Sequence, residues 1–358
     1  MQIVVIGNGG TAVSRSGRCF TERHTAKFLL DLARSGLHPT FVQPEVQLRD
    51  NADLYDGELP AALVRALPIS RKRIGDLWRV GVALMRARLV YIYYPGTLPL
   101  VVARVCRILG KPYALYLRGE RFSVTGHDAE VFRDARFVCC VGGIGDRVRG
   151  LNSHVVQVQP MLDVGRDDVH RRDLTKRPPG PWNLLFVGRL EVAKGVPELV
   201  DAAECLLARG FPFRLVIVGG GPLHDELFCR YGNDPGAPIR VLGVIDNKAA
   251  LYAEFEKADL FVLPTHHEGF PRVLYEAMIK STVIVTTFVG GIPGVMRAGI
   301  DCIEIPLKSS TAIADAVASI AVDWTRLQAL ADAALRTVLD VLERHPTHLE
   351  AVVKRFPE

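Results

Sequence analysis

The chain has 358 residues, 49% of them hydrophobic and 23% charged, with a formal charge of +5. These values exclude a disordered chain and leave room for two domains of ordinary size. The weakly positive balance suits anionic substrates or an anionic membrane surface and is too small to argue for nucleic acid.

Seven cysteines stand at positions 19, 106, 139, 140, 205, 229 and 302, with neither Cys-x-x-Cys nor a zinc spacing. They read as free thiols of a reducing cytoplasm, and no metal site is expected. Met1-Gln-Ile-Val-Val-Ile-Gly7 has no basic region ahead of its short apolar run, so no signal peptide is expected. No stretch of about 20 apolar residues is present to span a bilayer.

In chain order, Gln2–Ile6, Thr40–Val42, Val90–Tyr93, Tyr113–Leu117 and Phe137–Val141 read as strands. Their apolar runs are continuous, as in a parallel sheet covered on both faces. Helical spacing falls at Glu22–Ser35, Ile74–Arg88 and Leu98–Leu109, with Gly36 and Gly110 as C-terminal stops. Residues 164–181 are polar, basic and Pro-rich, a linker composition. The alternation then restarts, with strands at Asn183–Val187, Arg214–Val218, Ile239–Leu242, Leu260–Leu263 and Val283–Thr286. Helices are expected near Val196–Arg209, Asn247–Lys257, Leu274–Ile279, Thr311–Ile320 and Trp324–Arg344. The predicted class is α/β, with two Rossmann-like domains at 1–163 and 182–335 whose parallel sheets face each other across a ligand-binding cleft.

Four constellations carry the chemistry. Glu268-Gly-Phe-Pro-Arg-Val-Leu-Tyr-Glu276 follows a buried strand and places two glutamates around a Gly-Phe-Pro turn and a helix start. The turn, Gly269, Phe270 and Pro271, would offer backbone N–H groups to phosphate oxygens, and Glu276 could accept from two adjacent sugar hydroxyls. The same spacing fits a surface loop with a charged helix face. Gly188-Arg-Leu-Glu-Val-Ala-Lys-Gly195 puts Arg189 and Lys194 after another strand, where two cations can neutralise a diphosphate or simply face solvent. Val218-Gly-Gly-Gly-Pro222, with Gly220 at its centre, would let a ligand approach bare backbone. Ile6-Gly-Asn-Gly-Gly-Thr-Ala12 touches a dinucleotide fingerprint. No acid follows about 20 residues on, so it reads instead as a flexible glycine loop.

Taken in order, these motifs resemble the family 4 retaining glycosyltransferases of the GT-B fold, most strongly from Asn183 to Leu307. Val241-Leu-Gly-Val244 is similar to that family's base-binding loop. The resemblance implies transfer of a sugar from a UDP- or GDP-sugar donor to a glycan or lipid-linked acceptor, as in cell-surface polysaccharide or glycolipid synthesis. Arg189 and Lys194 would hold the diphosphate, Glu268 would contact the donor sugar and Glu276 the ribose. Backbone at Gly220 and Gly243 would meet the nucleotide, and Gly9 and Gly10 would reach the diphosphate from the first domain. The C-terminal segment 336–358 would cross back to the first domain. No Asp-x-Asp occurs, which fits catalysis with neither metal nor cofactor. Two positions depart from the family pattern. Gly294 stands where a glutamate is usual. Arg118 follows Tyr113–Leu117 where many members have histidine, and it reads equally as an anion ligand or as a partner of Glu120. A noncatalytic nucleotide-sugar-binding subunit, or another GT-B enzyme such as an epimerase, remains the alternative.

The Arg71–Arg88 helix is basic, with Ile74, Leu77, Trp78, Leu84 and Met85 at helical spacing. It reads either as a peripheral contact with the anionic inner face of the plasma membrane or as a helix packed on its own sheet. The chain is otherwise expected to be cytoplasmic.

Overall fold

The computed structural model describes residues 1–46, 55–70, 73–118, 122–162, 164–177, 179–268, 271–320 and 323–356. Contacts divide the chain into two compact units, Met1–Asp163 with His345–Glu358, and Val164–Arg344. Both are α/β and both are built on a largely parallel sheet.

The first unit runs β1 (Gln2–Ile6), β2 (Thr11–Val13), β3 (Cys19–Thr21), α1 (Arg23–Arg34), β4 (His38–Val46), β5 (Gly57–Leu59), β6 (Arg65–Ile69), α2 (Ile74–Arg86), β7 (Leu89–Tyr94), α3 (Thr97–Ile108), β8 (Tyr113–Leu117), α4 (Gly126–Asp134), β9 (Val138–Cys140) and β10 (Val155–Gln157). The sheet order is β10-β9-β8-β7-β1-β4-β2-β3-β5, with β6 also on β4. Strand β1 explains why continuous apolar runs were needed. Ile3 and Val5 enter one core beneath α1, while Val4 and Ile6 enter the other beneath α2 and α3. The Ile6–Ala12 segment, expected as a flexible glycine loop, runs into β2, which pairs with β3 and β4. The short polar helix α4 went unread because its residues lack an apolar period.

Helix α2 packs on its sheet through Val80, Ala83 and Leu84, with Ala87 just beyond its end. Its outward face nevertheless carries Leu77, Trp78 and Met85 beside Arg79 and Arg86, all exposed. Arg71 and Lys72 lie outside the described residues. No described helix is long and apolar enough to cross a membrane.

The second unit continues with β11 (Trp182–Val187), α5 (Val196–Ala208), β12 (Phe213–Val218), α6 (His224–Tyr231), β13 (Ile239–Gly243), α7 (Lys248–Lys257), β14 (Leu260–Leu263), α8 (Val273–Ile279), β15 (Val283–Thr287), β16 (Ile303–Ile305), α9 (Ser310–Ile320) and α10 (Trp324–Arg344). Its order is β13-β12-β11-β14-β15-β16, all parallel. The chain winds outward from β11 through β12 and β13, then returns to β14 on the other side of β11. The β11/β14 border is therefore the switch point at which open parallel sheets bind ligands.

Two boundaries differ from expectation. The segment 164–181 is folded onto the second unit: Leu174 is buried and Arg177 Nε donates to Asp259 at 2.8 Å. Arg172 and Arg177 share the buried Asp259, a pairing that composition alone does not reveal. Helix α10 stays wholly in the second unit, because Leu327, Leu330, Ala331, Ala334 and Val338 are buried along one face and the helix packs on α8 and β15. The return to the first unit comes at His345, followed by α11 (His348–Lys354) against α1.

His348 is 4% exposed, with its ring 4.2 Å from that of Tyr116 and its Nδ1 3.0 Å from the Tyr91 hydroxyl. Burial, reinforced by the Arg118 cation, pushes the imidazole from 6.5 down to about 3. In the unfolded chain the ring takes its proton near its ordinary value, so acid favours unfolding. Its contribution is whole above the unfolded value and is lost as pH falls from there toward about 3. We expect urea titrations to give wild type a steeper loss of stability between about pH 6 and pH 4 than His348→Phe, by at most about 1.4 kcal/mol per pH unit. Equal slopes would mean the ring is already solvated or protonated in the folded state.

Candidate functional site

Strand β11 ends at Val187, and the chain then turns through Gly188-Arg189-Leu190 into a 3-10 turn at Val192–Lys194. Gly195 follows with φ of 70°, a left-handed conformation that starts α5. A Cβ on Gly195 would lie 2.0 Å from the Pro264 carbonyl oxygen, so the loop presses against the end of β14. Lys194 Nζ there pairs with Glu268 Oε1, with side-chain exposures of 22% and 11%.

Thr265 supports that pair. Its hydroxyl lies 3.3 Å from Glu268 Oε1 and 3.3 Å from the Ala193 carbonyl, and its own carbonyl accepts from Thr287 Oγ1 at 2.5 Å. His266 N–H donates to the Ala193 carbonyl at 2.9 Å, while its ring Nε2 faces Glu198 Oε1 of α5 at 3.1 Å. Sequence reasoning passed over Thr265, His266 and Thr287. Their signal was the abrupt change from apolar to polar at the ends of β14 and β15.

Arg189 is half-exposed and its Nε lies 3.2 Å from Glu191 Oε2, a local partner that its spacing in the motif does not suggest. The glycine turn after β12 serves its neighbour first. A Cβ on Gly219 would meet the Gly188 carbonyl oxygen at 1.9 Å, and one on Gly221 the Leu190 oxygen at 2.6 Å. Gly220 accepts from Leu190 N–H at 2.8 Å, and Gly243 accepts from Gly219 N–H at 2.8 Å. Here the absent side chains admit an adjacent loop, whereas the motif alone suggested room for a ligand.

Pro271 is buried and its carbonyl accepts from Leu274 N–H at 3.1 Å, opening α8. Glu276, half-buried, lies in the first turn of that helix. Gly269 and Phe270 lie outside the described residues. Gly294, exposed, closes a 3-10 turn at Ile292–Gly294. The second unit thus brings Lys194 and Glu268 into direct contact, with Arg189, Gly220 and Pro271 on strand-end loops, Gly243 at the end of β13 and Glu276 in the first turn of α8.

Gly9, Gly10 and Arg118 lie together in the first unit. Buried Gln43 of β4 reaches under the Gly7–Thr11 loop. With its amide oxygen toward Gly9 N–H (3.1 Å) and its nitrogen toward the Gly10 carbonyl (2.7 Å), each neighbour is satisfied. A Cβ on Gly7 would strike that amide at 2.1 Å. Arg118 donates to Glu22 at 2.9 Å and to Asn8 at 3.3 Å, and lies over the Tyr93 ring. Burial opposes its charge, but Glu22 and the Tyr116 hydroxyl outweigh burial and leave the guanidinium above its ordinary value. Its partner is therefore Glu22. Glu120, the partner weighed from sequence, lies outside the described residues.

Among the described residues no group of three or more His, Cys, Asp or Glu is gathered as a metal would require. No cysteine is disulfide-bonded.

Gly195→Ala tests the loop contact. The substitution combines a left-handed backbone with a carbonyl clash, so urea unfolding is expected to show a loss of roughly 2 kcal/mol or more. A change under about 0.5 kcal/mol would mean the loop yields freely.

Residues 181–323 match the family described as glycosyl transferases group 1. The chain is 30% identical over 230 residues to the D-inositol 3-phosphate glycosyltransferase of Actinosynnema mirum, covering 59% of this chain and 55% of that one. It is 26% identical over 309 residues to the putative teichuronic acid biosynthesis glycosyltransferase TuaC of Bacillus subtilis, covering 77% and 73%. The chain spans about half the length, or less, of several curated relatives it matches. In structure it resembles HepE of Anabaena, solved in complex with UDP-glucose, with TM-score 0.65, 15% identity and 99% of each chain covered. The chain thus has two parallel-sheet units in the GT-B fold, and residues 181–323, which carry most of the second unit and its switch-point loops, are similar to glycosyl transferases group 1.

Proposed function

We propose that the chain transfers a sugar from a UDP- or GDP-sugar to a glycan or lipid-linked acceptor, with retention at the anomeric carbon and without a metal ion. The observation that carries this reading is the Lys194–Glu268 contact at the switch point of the unit similar to glycosyl transferases group 1. In a sugar nucleotide the anomeric carbon and the first phosphate share one oxygen. A cation for the phosphate and a carboxylate for the sugar must then stand within a few ångströms of each other, as these two do.

In the proposed step the acceptor hydroxyl attacks the anomeric carbon from the face the diphosphate leaves. The bond between that carbon and the phosphate oxygen breaks, and its electron pair stays on the diphosphate. The departing phosphate oxygen takes the acceptor proton. Lys194 and Arg189 act on charge that grows during bond breaking, so they favour the transition state over the bound donor. Glu268 orients the sugar and Glu276 the ribose.

UDP-glucose, the molecule in the HepE complex, is the first donor to test. Release of UDP or GDP from a donor panel, with and without crude acceptor lipid, is expected to fall by about 100-fold or more in Glu268→Ala and in Lys194→Ala. Glu276→Ala should instead weaken nucleoside diphosphate binding, by roughly tenfold. Tight donor binding with no turnover under any acceptor condition would favour a noncatalytic binding subunit.

A second proposal concerns α2. Exposed Leu77, Trp78 and Met85 beside Arg79 and Arg86 favour contact with an anionic bilayer over a merely solvated basic face. Co-sedimentation with anionic liposomes at low salt is expected, and Trp78→Ala with Met85→Ala should reduce it severalfold. Unchanged sedimentation of that pair would remove α2 from the acceptor side.

A further inference from the structure

The donor loops occupy the carboxyl ends of the second sheet. At its amino end lies a pocket of about 530 Å³ that the proposed reaction does not use. Strand β11 is six residues long, which puts the two ends about 20 Å apart. Asn183 and Arg214 are paired in register there, and Asp259 immediately precedes β14. The remaining wall comes from residues 170–174, 176, 177 and 179–181, folded against them.

Six arginines and lysines line the pocket, against two aspartates. Two of the cations form its base. Arg177 and Arg172 both pair with Asp259, at 2.8 and 3.6 Å, and Asp259 also accepts from Asn183 N–H at 2.9 Å. Asp259 is thereby saturated, and a single carboxylate faces two guanidiniums. Burial lowers Arg172 from its ordinary value, and the neighbouring Arg177 cation lowers it further against the pull of Asp259.

The rim holds the other four. Arg214 makes no ion pair or side-chain hydrogen bond with any described residue. Arg171 faces Asp332 at 3.4 Å and is 71% exposed, while Lys176 and Lys257 have only local partners near the surface, Asp173 and Glu254. The described residues thus leave a concave site with excess positive charge and no exposed large apolar side chain in its wall. A bilayer contact would use such side chains; a soluble anion does not need them.

We infer that this pocket binds a soluble polyanion bearing two or more phosphate groups. The volume falls in the range of small-molecule sites and far exceeds what one phosphate needs. The rim cations are spaced around an opening, so one multivalent ligand can meet several at once. Arg172 and Arg177 supply a fixed positive floor, because Asp259 holds their guanidiniums in place. The inference does not depend on the donor reading, since it involves neither Lys194 nor Glu268.

Sodium tripolyphosphate is the probe, titrated calorimetrically at low salt into the whole chain. Wild type should bind it, and Arg189→Ala with Lys194→Ala, which removes the donor-loop cations as a second phosphate site, should retain a binding event. Added to that donor-loop variant, Arg214→Glu with Lys257→Glu, both exposed and expected to fold, should weaken the remaining binding at least about tenfold. Arg133→Glu with Arg136→Glu, an equal charge change in the first unit, should leave binding unchanged. The proposal fails if wild type does not bind or if the donor-loop pair abolishes binding. Loss of equal size in the two charge-reversed pairs, or full retention in Arg214→Glu with Lys257→Glu, also overturns it.

Discussion

At the carboxyl end of the second sheet, three loops lie backbone against backbone. The one after β11 sits between the loops after β12 and β14, and glycine makes both contacts possible. Gly219 and Gly221 lie against the carbonyls of Gly188 and Leu190, and Gly195 lies against Pro264. A Cβ at any of these would force the loops apart. Everything chemical at this end follows from that closeness: Lys194 reaches Glu268, the Ala193 carbonyl meets Thr265 and His266, and the loop after β12 is tied to β13 through Gly243.

The opposite end of the same sheet is organised by charge. Asp259 is 4% exposed and binds two arginines and a backbone N–H, which fastens the segment 164–181 to the strands. Breaking such a buried set leaves an unpaired charge and costs about 3–5 kcal/mol. The sheet therefore has one end closed by glycines and another pinned by an ion cluster, with apolar strands such as Leu260–Leu263 joining them.

Much of this was legible in the chain. The strands at Gln2–Ile6, Tyr113–Leu117 and Leu260–Leu263 are found where continuous apolar runs placed them, because strands buried on both faces need no alternation. Short strands such as β3 and the edge strand β5 were not legible. Three residues carry too little periodicity, and pairing across distant segments decides them. Gln43 illustrates the same limit. Nothing local marks a glutamine within an apolar strand as the support of a glycine loop more than 30 positions earlier.

The sequence by itself determined the α/β class, the strand-end positions of Arg189, Lys194 and Glu268, the helical position of Glu276, and the likeness to group 1 glycosyltransferases. Those depend on local period and on residue order along the chain. Tertiary structure decided partners: Lys194 with Glu268, Arg118 with Glu22, Arg172 and Arg177 with Asp259. It also turned an apparent linker into the wall of a basic pocket and ended α10 within the second unit. The reason is that charge pairing and backbone proximity join residues tens of positions apart, and a one-dimensional pattern does not carry that separation.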